Sequence, residues 1–380
     1  MAKRNPNGAG TVTRRKDGRY QAAVYVPQPD GTWARKFAYG KTWDECDTKR
    51  KELVERAKQG IATPTKSAKL SEWLPYWLEH FIKPQRKKTT QAKYETHVRL
   101  YLIPLLGSKG LESLSPRDVR TFLAKVTKQA SAATAKESHR VLRSALTAAV
   151  RDELIVRNVA MLIPPPRVTS REVKPWTLDQ TLTFLSASRT DPLYAAFLLA
   201  IALGMRRGEI IGLRWSEVDL NKRVLVIREQ VQRVRGELYA DTTKSGKRRP
   251  VPLPRICVAA LRWHRLKQDE ARRAAETKGE TWEETGYIFT TRTGRPIEPT
   301  NVYRSFVRVA KAAGVPVIRL HDARHGCATL LVACGVPPRV VMEILGHSQI
   351  GLTMNVYTHV AQDTQREALG NMDRLLKRRH

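Results

Sequence analysis

The stretch Arg319–Val360, RLHDARHGCATLLVACGVPPRVVMEILGHSQIGLTMNVYTHV, decides how the C-terminal half of the chain folds. It breaks into short helices. The first is expected from about His321 to Ala333, ending at Gly335, a residue suited to a left-handed C-cap. The second opens on Pro337 and Pro338, which fit a first helical turn, and stops at Gly346. A third short helix would carry Tyr357. His321 and Arg324 are three apart, so they share one face of the first helix and sit in its first turn. Free N–H groups and the helix dipole favour an anion there. A cationic Arg, a proton-transfer His and a helix N-terminus together describe a phosphate site, and a Tyr within reach could attack phosphorus.

Charge over the whole chain points to the same ligand class. The 380 residues hold 68 Lys+Arg against 36 Asp+Glu, a formal net charge of +32. The excess is spread: +7 over residues 1–60, +11 over 61–167 and +14 over 168–380. Every part of the protein is basic, so the simplest partner is a long polyanion touched along its length, which means nucleic acid. Four scattered cysteines (Cys46, Cys257, Cys327, Cys334) with no C-x-x-C pair argue against a disulfide framework and against a zinc ribbon. The first residues, MAKRNPNGAG, lack the apolar core of a signal peptide, and no apolar run is long enough to span a membrane. A reduced, cytoplasmic protein with no membrane partner is expected.

The length allows two or three domains. Residues 11–41 alternate in strand fashion, over Thr11–Thr13, Arg19–Val26 and Thr32–Tyr39, with turns at Asp17-Gly18 and Asp30-Gly31. A polar helix follows from Thr42, a plausible N-cap, to Gln59. Arg14, Arg15, Arg19, Arg35 and Lys36 could line a sheet face laid into a groove, or form a solvated basic face. After a Thr/Ser/Pro linker, four helical patterns run from Leu70 to Leu162, the third opening with Ser115 as N-cap and Pro116 at the first position. They make a compact bundle whose Lys87, Lys88, Lys93, Arg99, Lys136, Arg140 and Arg143 suit phosphate contacts or plain surface. A proline-stiffened linker, 163–175, leads to a mixed region. It reads as a helix near Leu193–Ala202, a second running on to Trp215, strand-like VLVIRE (224–229), and a hairpin around Thr243–Lys247 with RPVPL as its return strand. A polar, solvent-facing helix or insertion over 265–286 and a helix from Val302 to Ala313 complete it. The fold class is therefore multidomain: a small α+β domain (1–62), an all-α bundle (68–163), and a mainly helical, mixed α+β domain (172–380).

The C-terminal residues also resemble a known family, the tyrosine recombinases or phage-type integrases. That family carries H-x-x-R, then L-G-H, then a Tyr about ten residues on, and here stand His321-Asp-Ala-Arg324, Leu345-Gly346-His347 and Tyr357. The resemblance implies a nucleophile, Tyr357, that forms a 3′-phosphotyrosyl link and frees a 5′-hydroxyl. It implies two phosphate-holding arginines. One is Arg324, and the other is Arg206, which follows Gly204 in the family's G-x-R element, with Leu203 where the family more often has Thr. Lys244 resembles the hairpin lysine that protonates the 5′ oxygen. His321 would handle the proton of Tyr357, because imidazole titrates near neutrality, and His347 would donate to the scissile phosphate. Glu209 is expected to anchor Arg206, and Arg207 to face solvent or backbone phosphate. The first two parts resemble the family's arm-binding and core-binding domains.

Chemistry supports the assignments. Attack on a phosphodiester needs a nucleophile, stabilisation of a pentacoordinate phosphorus and an acid for the leaving oxygen. An arginine fork suits the second task. A zinc reading of His321 and His325 at i, i+4, with Cys327 or Cys334, is opposed by Asp322 where a zincin has Glu and by Arg324 on the same face. A metal-dependent nuclease would want clustered carboxylates, and this set is cationic. No cofactor and no metal are expected, because the phosphotyrosyl link keeps the bond energy. The family further implies double-stranded DNA with core and arm sites as partner, a homotetramer on DNA, and a host DNA-bending protein or a directionality factor. A type IB topoisomerase and a catalytically inactive DNA-binding regulator are the alternatives.

Overall fold

The computed structural model describes residues 9–28, 31–60, 68–169, 175–242 and 248–346. The chain divides into two compact units, Met1–Ser170 and Arg171–His380.

In the first unit, β1 (Thr11–Arg14), β2 (Tyr20–Pro27) and β3 (Trp33–Gly40) form an antiparallel meander in that order. Tyr20 pairs with Gly40 and Pro27 with Trp33. The first turn forms as its Asp-Gly signal predicts: Gly18 takes a φ of +80°, and the Asp17 carboxylate accepts the Arg19 N–H at 3.1 Å. Helix α1 (Trp43–Lys58) starts where the Thr42 hydroxyl accepts the Glu45 N–H at 3.2 Å. Ala22, Val24 and Val26 of β2 are buried together with Cys46 of α1, so one sheet face rests on the helix. Strand alternation leaves Tyr25, Trp33, Phe37 and Tyr39 exposed on the other face. Lys36 does not share that open face with Arg35. It lies opposite Val24 on the helix side, and its Nζ is 3.2 Å from Glu112 of the following bundle.

The bundle follows the four expected segments. Helix α2 (Leu70–Trp77) continues through a π-helical turn, Leu78–Ile82. Helix α3 (Lys88–His97) runs through a second such turn, Val98–Leu102, into α4 (Ile103–Leu106). Then come α5 (Pro116–Gln129) and α6 (Ala132–Arg151). Trp77, Phe122, Leu142 and Leu146 are fully buried, each contributing about 1.5–3 kcal/mol of apolar transfer. The Trp73 indole N–H donates to Ala145 O at 3.1 Å, which fixes α2 against α6. Lys93 and Arg140 both pair with Glu137, at 2.5 and 2.9 Å, so two of the candidate phosphate cations are held by a carboxylate of the bundle.

In the second unit, α7 (Leu178–Ala187) and α8 (Tyr194–Ala202) lead to α9 (Arg207–Ile211). Ala195 to Ile201 are buried without interruption, as an all-apolar helix must be. Around α8, Phe184, Phe197, Phe306 and Trp176 pack with ring centroids 4.8–5.8 Å apart. Helix α9 stops at Gly212 rather than continuing to Trp215. Strands β4 (Val218–Asp219), β5 (Val224–Ile227), β6 (Glu229–Val234), β7 (Glu237–Thr242) and β8 (Arg249–Pro252) form two sheets, β4-β5-β8 and the hairpin β6-β7. The return strand β8 therefore exists, and it pairs with β5, the first part of the strand-like VLVIRE. The hairpin that the sequence reading did not anticipate turns at Arg235 and Gly236, both with positive φ, the geometry of a two-residue hairpin turn. Helix α10 (Arg255–Thr277), α11 (Pro299–Ala312), α12 (Leu320–Ala333) and α13 (Pro338–Leu345) follow. Gly335 (φ +74°) and Gly346 (φ +66°, ψ 48°) take the left-handed conformation expected of them. Among the described residues, no helix is long and apolar enough to cross a membrane.

Candidate active site

The turn between α8 and α9 is built on Gly204. Its φ is +58°, and a Cβ there would lie 2.3 Å from Leu345 Cδ2, so only glycine lets this turn close against the end of α13. Arg206 then precedes α9, and Glu209 folds back on it: one carboxylate oxygen accepts the Arg206 N–H at 2.9 Å, the other its Nη1 at 2.6 Å. Glu209 is 3% exposed. Arg207, next in sequence, is exposed.

Three arginines meet at the C-terminal end of α13. A helix end leaves carbonyls without intrahelical partners, and here guanidinium groups take them. Arg249 of β8 donates through Nη1 to Ile344 O and, at 3.4 Å, to Glu343 O. Arg324 of α12 donates through Nη2 to Leu345 O and through Nη1 to Gly204 O at 2.6 Å. Arg206 donates through Nη2 to Gly346 O at 3.2 Å. The negative pole of α13 thus gathers cations from three separate elements. Glu209 is the carboxylate that Arg206 and Arg249 share: Arg249 Nη2 lies 3.5 Å from its Oε2.

The cluster carries unbalanced positive charge. Burial, then the neighbouring Arg206, push the Arg324 guanidinium down to about 9, still protonated at neutral pH. Arg249 is lowered too, first by burial. An anion that enters relieves this cost. Beside the cluster, a cleft of about 650 Å³ is lined by Arg206, Arg207, Arg233, Arg319, Tyr303 and His321, with no carboxylate among its described lining residues.

His321 stands at the edge of that cleft. Its ring is open on one side, yet reduced solvation on the other lowers its pKa from the ordinary value. His325, Arg324 and Arg206 lower it further. It is therefore neutral near pH 7, the form that accepts a proton. His325 packs edge-on against it, ring centroids 5.6 Å apart. One expectation changes. The N-terminus of α12 is already occupied by an anion of its own, because Asp322 accepts the Arg319 N–H at 3.2 Å and Arg319 Nη2 at 2.8 Å. Arg324 does not stay at that end. Its side chain, 2% exposed, reaches across to Gly204 and α13, so the anion-favouring surface is made by gathered arginines rather than by helix α12's dipole.

Of the six residues expected to act, the structure brings together Arg206, Arg324 and His321. Lys244, His347 and Tyr357 lie outside the described residues, though His347 follows directly on Gly346, whose carbonyl Arg206 holds. Sequence reasoning did not single out Arg249. Strand alternation could have found it, since Arg249, Val251 and Leu253 fall on one side of RPVPL and the latter two are buried.

Comparison with known proteins points one way. The model of the Phage integrase family matches residues 176–364, and that of the phage integrase N-terminal SAM-like domain matches 69–126. A protein named "Tyrosine recombinase XerC-like" from Caldanaerobacter subterraneus subsp. tengcongensis is 29% identical over 376 residues, covering 94% of this chain and 96% of the relative. An integrase from Streptomyces ambofaciens is 29% identical over 389 residues, covering 100% and 99%. The fold is like that of the Tn1549 transposon integrase solved with circular intermediate DNA, at TM-score 0.68 and 21% identity, over 80% of this chain and 100% of that one. It is also like the lambda integrase solved as a tetramer bound to a Holliday junction, at TM-score 0.57 and 18% identity, over 93% and 96%.

Proposed function

The chain belongs to the phage integrase family of tyrosine recombinases and is a site-specific DNA recombinase, and we infer that its chemistry centres on Tyr357, Arg206, Arg324, His321, His347 and Lys244. Tyr357 Oη attacks the scissile phosphorus, the bond to the 5′ oxygen breaks, and a 3′-phosphotyrosyl link forms. His321 takes the phenolic proton. Lys244 gives a proton to the departing 5′ oxygen. Arg206 and Arg324 hold the non-bridging oxygens, with His347 donating beside them. Attack by a 5′-hydroxyl from a partner strand reverses the step on a new duplex. No external energy source enters, because each broken phosphodiester is replaced by a phosphotyrosine.

The observation that carries this reading is the gathering of Arg206 and Arg324 on the end of α13, with Glu209 bonded to Arg206, at a cleft lined by a neutral His321. Such a cluster is a poor structural device. Its use is to meet an anion whose charge grows during reaction. We further assign residues 172–380 to catalysis, 68–163 to core-site DNA and 1–62 to arm-site DNA, the last through the open sheet face that carries Arg35 and the exposed aromatics. The assembly that joins two duplexes is a homotetramer, acting in the cytoplasm where DNA is reached. A DNA-bending host protein or a directionality factor sets the balance between integration and excision of a mobile element.

The test is a nicked suicide duplex carrying the crossover sequence recovered from the junctions of the element that encodes the chain. Wild type is expected to accumulate a covalent protein–DNA adduct and Tyr357→Phe none. No adduct from wild type, or equal adduct from the Phe variant, overturns the mechanism.

A further inference from the structure

Arg249 has no part in the mechanism above, yet it is built into the same cluster. Its side chain is 17% exposed, and its Nη2 is buried with no hydrogen-bond acceptor among the described residues. An unsatisfied buried donor on a charged group is destabilising, so it calls for an explanation. The placement of this arginine is tightly defined. Nη1 holds the carbonyls of Glu343 and Ile344, Nη2 stands 3.5 Å from Glu209 Oε2, and a Cβ on Gly346 would lie 2.9 Å from the guanidinium carbon. Arg249 therefore backs both the carboxylate that orients Arg206 and the helix end that precedes His347.

The charge balance gives this position a purpose. Arg206, Arg249 and Arg324 bring three positive charges and Glu209 one negative, leaving +2. A phosphodiester carries −1, and the pentacoordinate phosphorus formed when Tyr357 Oη bonds to it carries −2 before the 5′ oxygen leaves with its proton. The charge that Arg249 adds interacts more strongly with the doubly negative transition state than with the singly negative substrate, which is where added stabilisation speeds the reaction.

We propose that Arg249 is a positioning residue whose uncompensated charge, held behind Arg206 and Arg324, tunes the site to the dianionic transition state of strand cleavage. This rests on the recombinase reading. Arg249 moves no proton and need not touch DNA. It acts through the field at the site, held in place by Glu209 and the α13 end.

The test compares Arg249→Met and Arg249→Lys with wild type on two versions of the nicked duplex, one ordinary and one with a methylphosphonate at the scissile position, which removes one negative charge. Arg249→Met is expected to slow cleavage of the ordinary duplex about 100-fold, the scale of losing one preorganised electrostatic group, with duplex affinity within about 3-fold of wild type. Arg249→Lys should recover about 10-fold of that loss by keeping the charge. On the methylphosphonate the Met variant and wild type should cleave within about 3-fold of each other, because the extra charge has less to stabilise. An equal penalty on both substrates would show a role in folding alone, and no penalty on either would show no role; both overturn the proposal. If the Met variant does not fold, the Lys variant is read in the same two-substrate comparison. A wild type that forms no adduct on the ordinary duplex contradicts the recombinase reading itself and the proposal with it.

Discussion

Arg324 donates from Nη1 to the main-chain oxygen of Gly204 at 2.6 Å, across 120 positions of sequence. This bond joins the H-x-x-R helix to the G-x-R turn, and it works because Gly204 has no side chain. Gly204→Ala would place a Cβ 2.3 Å from Leu345 at a positive φ. The left-handed backbone costs about 1–2 kcal/mol and the crowding about 1–3 more. Urea unfolding should show a loss of that size, together with greatly reduced strand cleavage. An alanine variant as stable and active as wild type would mean that the turn does not pack as described.

Glu209 is the shared anion of the arginine cluster. Glu209→Gln keeps an acceptor for the Arg206 N–H but removes the charge, leaving buried cations unpaired. Breaking a buried pair in this way costs about 3–5 kcal/mol, an upper figure here because the Arg206 side chain is 31% exposed. Denaturant titration should show a clear destabilisation, and cleavage should fall even where the protein remains folded. Unchanged stability would argue against Glu209 as the partner of Arg206 and Arg249.

Stability should fall on mild acidification. His97, His264, His321 and His325 are all held below the ordinary histidine value of 6.5, each first by burial. The unfolded chain therefore takes up protons at a higher pH than the folded one. Their contribution is fully present above about 6.5 and is lost as pH drops through the lower folded values. Tm measured at pH 7.5 and 5.5 should be lower at 5.5. A flat or rising Tm would contradict histidines held neutral by reduced solvation. Asp118 adds to acid lability only much lower, since the Ser115 hydroxyl and then Lys109 hold its carboxyl down to about 2.

Duplex affinity should depend steeply on salt. With +32 spread along the chain, DNA binding displaces many counterions, and affinity should drop about 10³-fold between roughly 50 and 200 mM salt. Fluorescence anisotropy over that range measures the slope. A shallow slope would mean that the basic residues stay paired within the protein, as Lys93 and Arg140 are with Glu137.

Much of this was legible in the sequence where local chemistry is decisive. Thr42 capped a helix, Pro337-Pro338 opened one, and Gly346 closed it, because caps and left-handed residues depend on a few neighbours. The first three-stranded sheet followed from alternation and Asp-Gly turns. Long-range pairing was harder. RPVPL was visibly a strand and returns to VLVI as read, but the hairpin β6-β7 inserted between them was missed. Lys36 was grouped with Arg35 by charge when alternation places neighbours on opposite faces. Arg249 was hidden among Lys247 and Arg248, and only its shared face with Val251 and Leu253 marked it as inward. Arg324 was placed at a helix start by spacing, while its long side chain carries the charge to another helix's end.

The central claim is that Tyr357 is the nucleophile of a phosphate site assembled by Arg206, Arg324 and His321. Its most direct test is mass spectrometry of the protease-digested adduct formed on the nicked duplex. The account predicts a single modified peptide, with the 3′-phosphate of the cleaved strand esterified to Tyr357 and a free 5′-hydroxyl on the released strand. A nucleotide attached to any other residue, or a released 5′-phosphate, would contradict it.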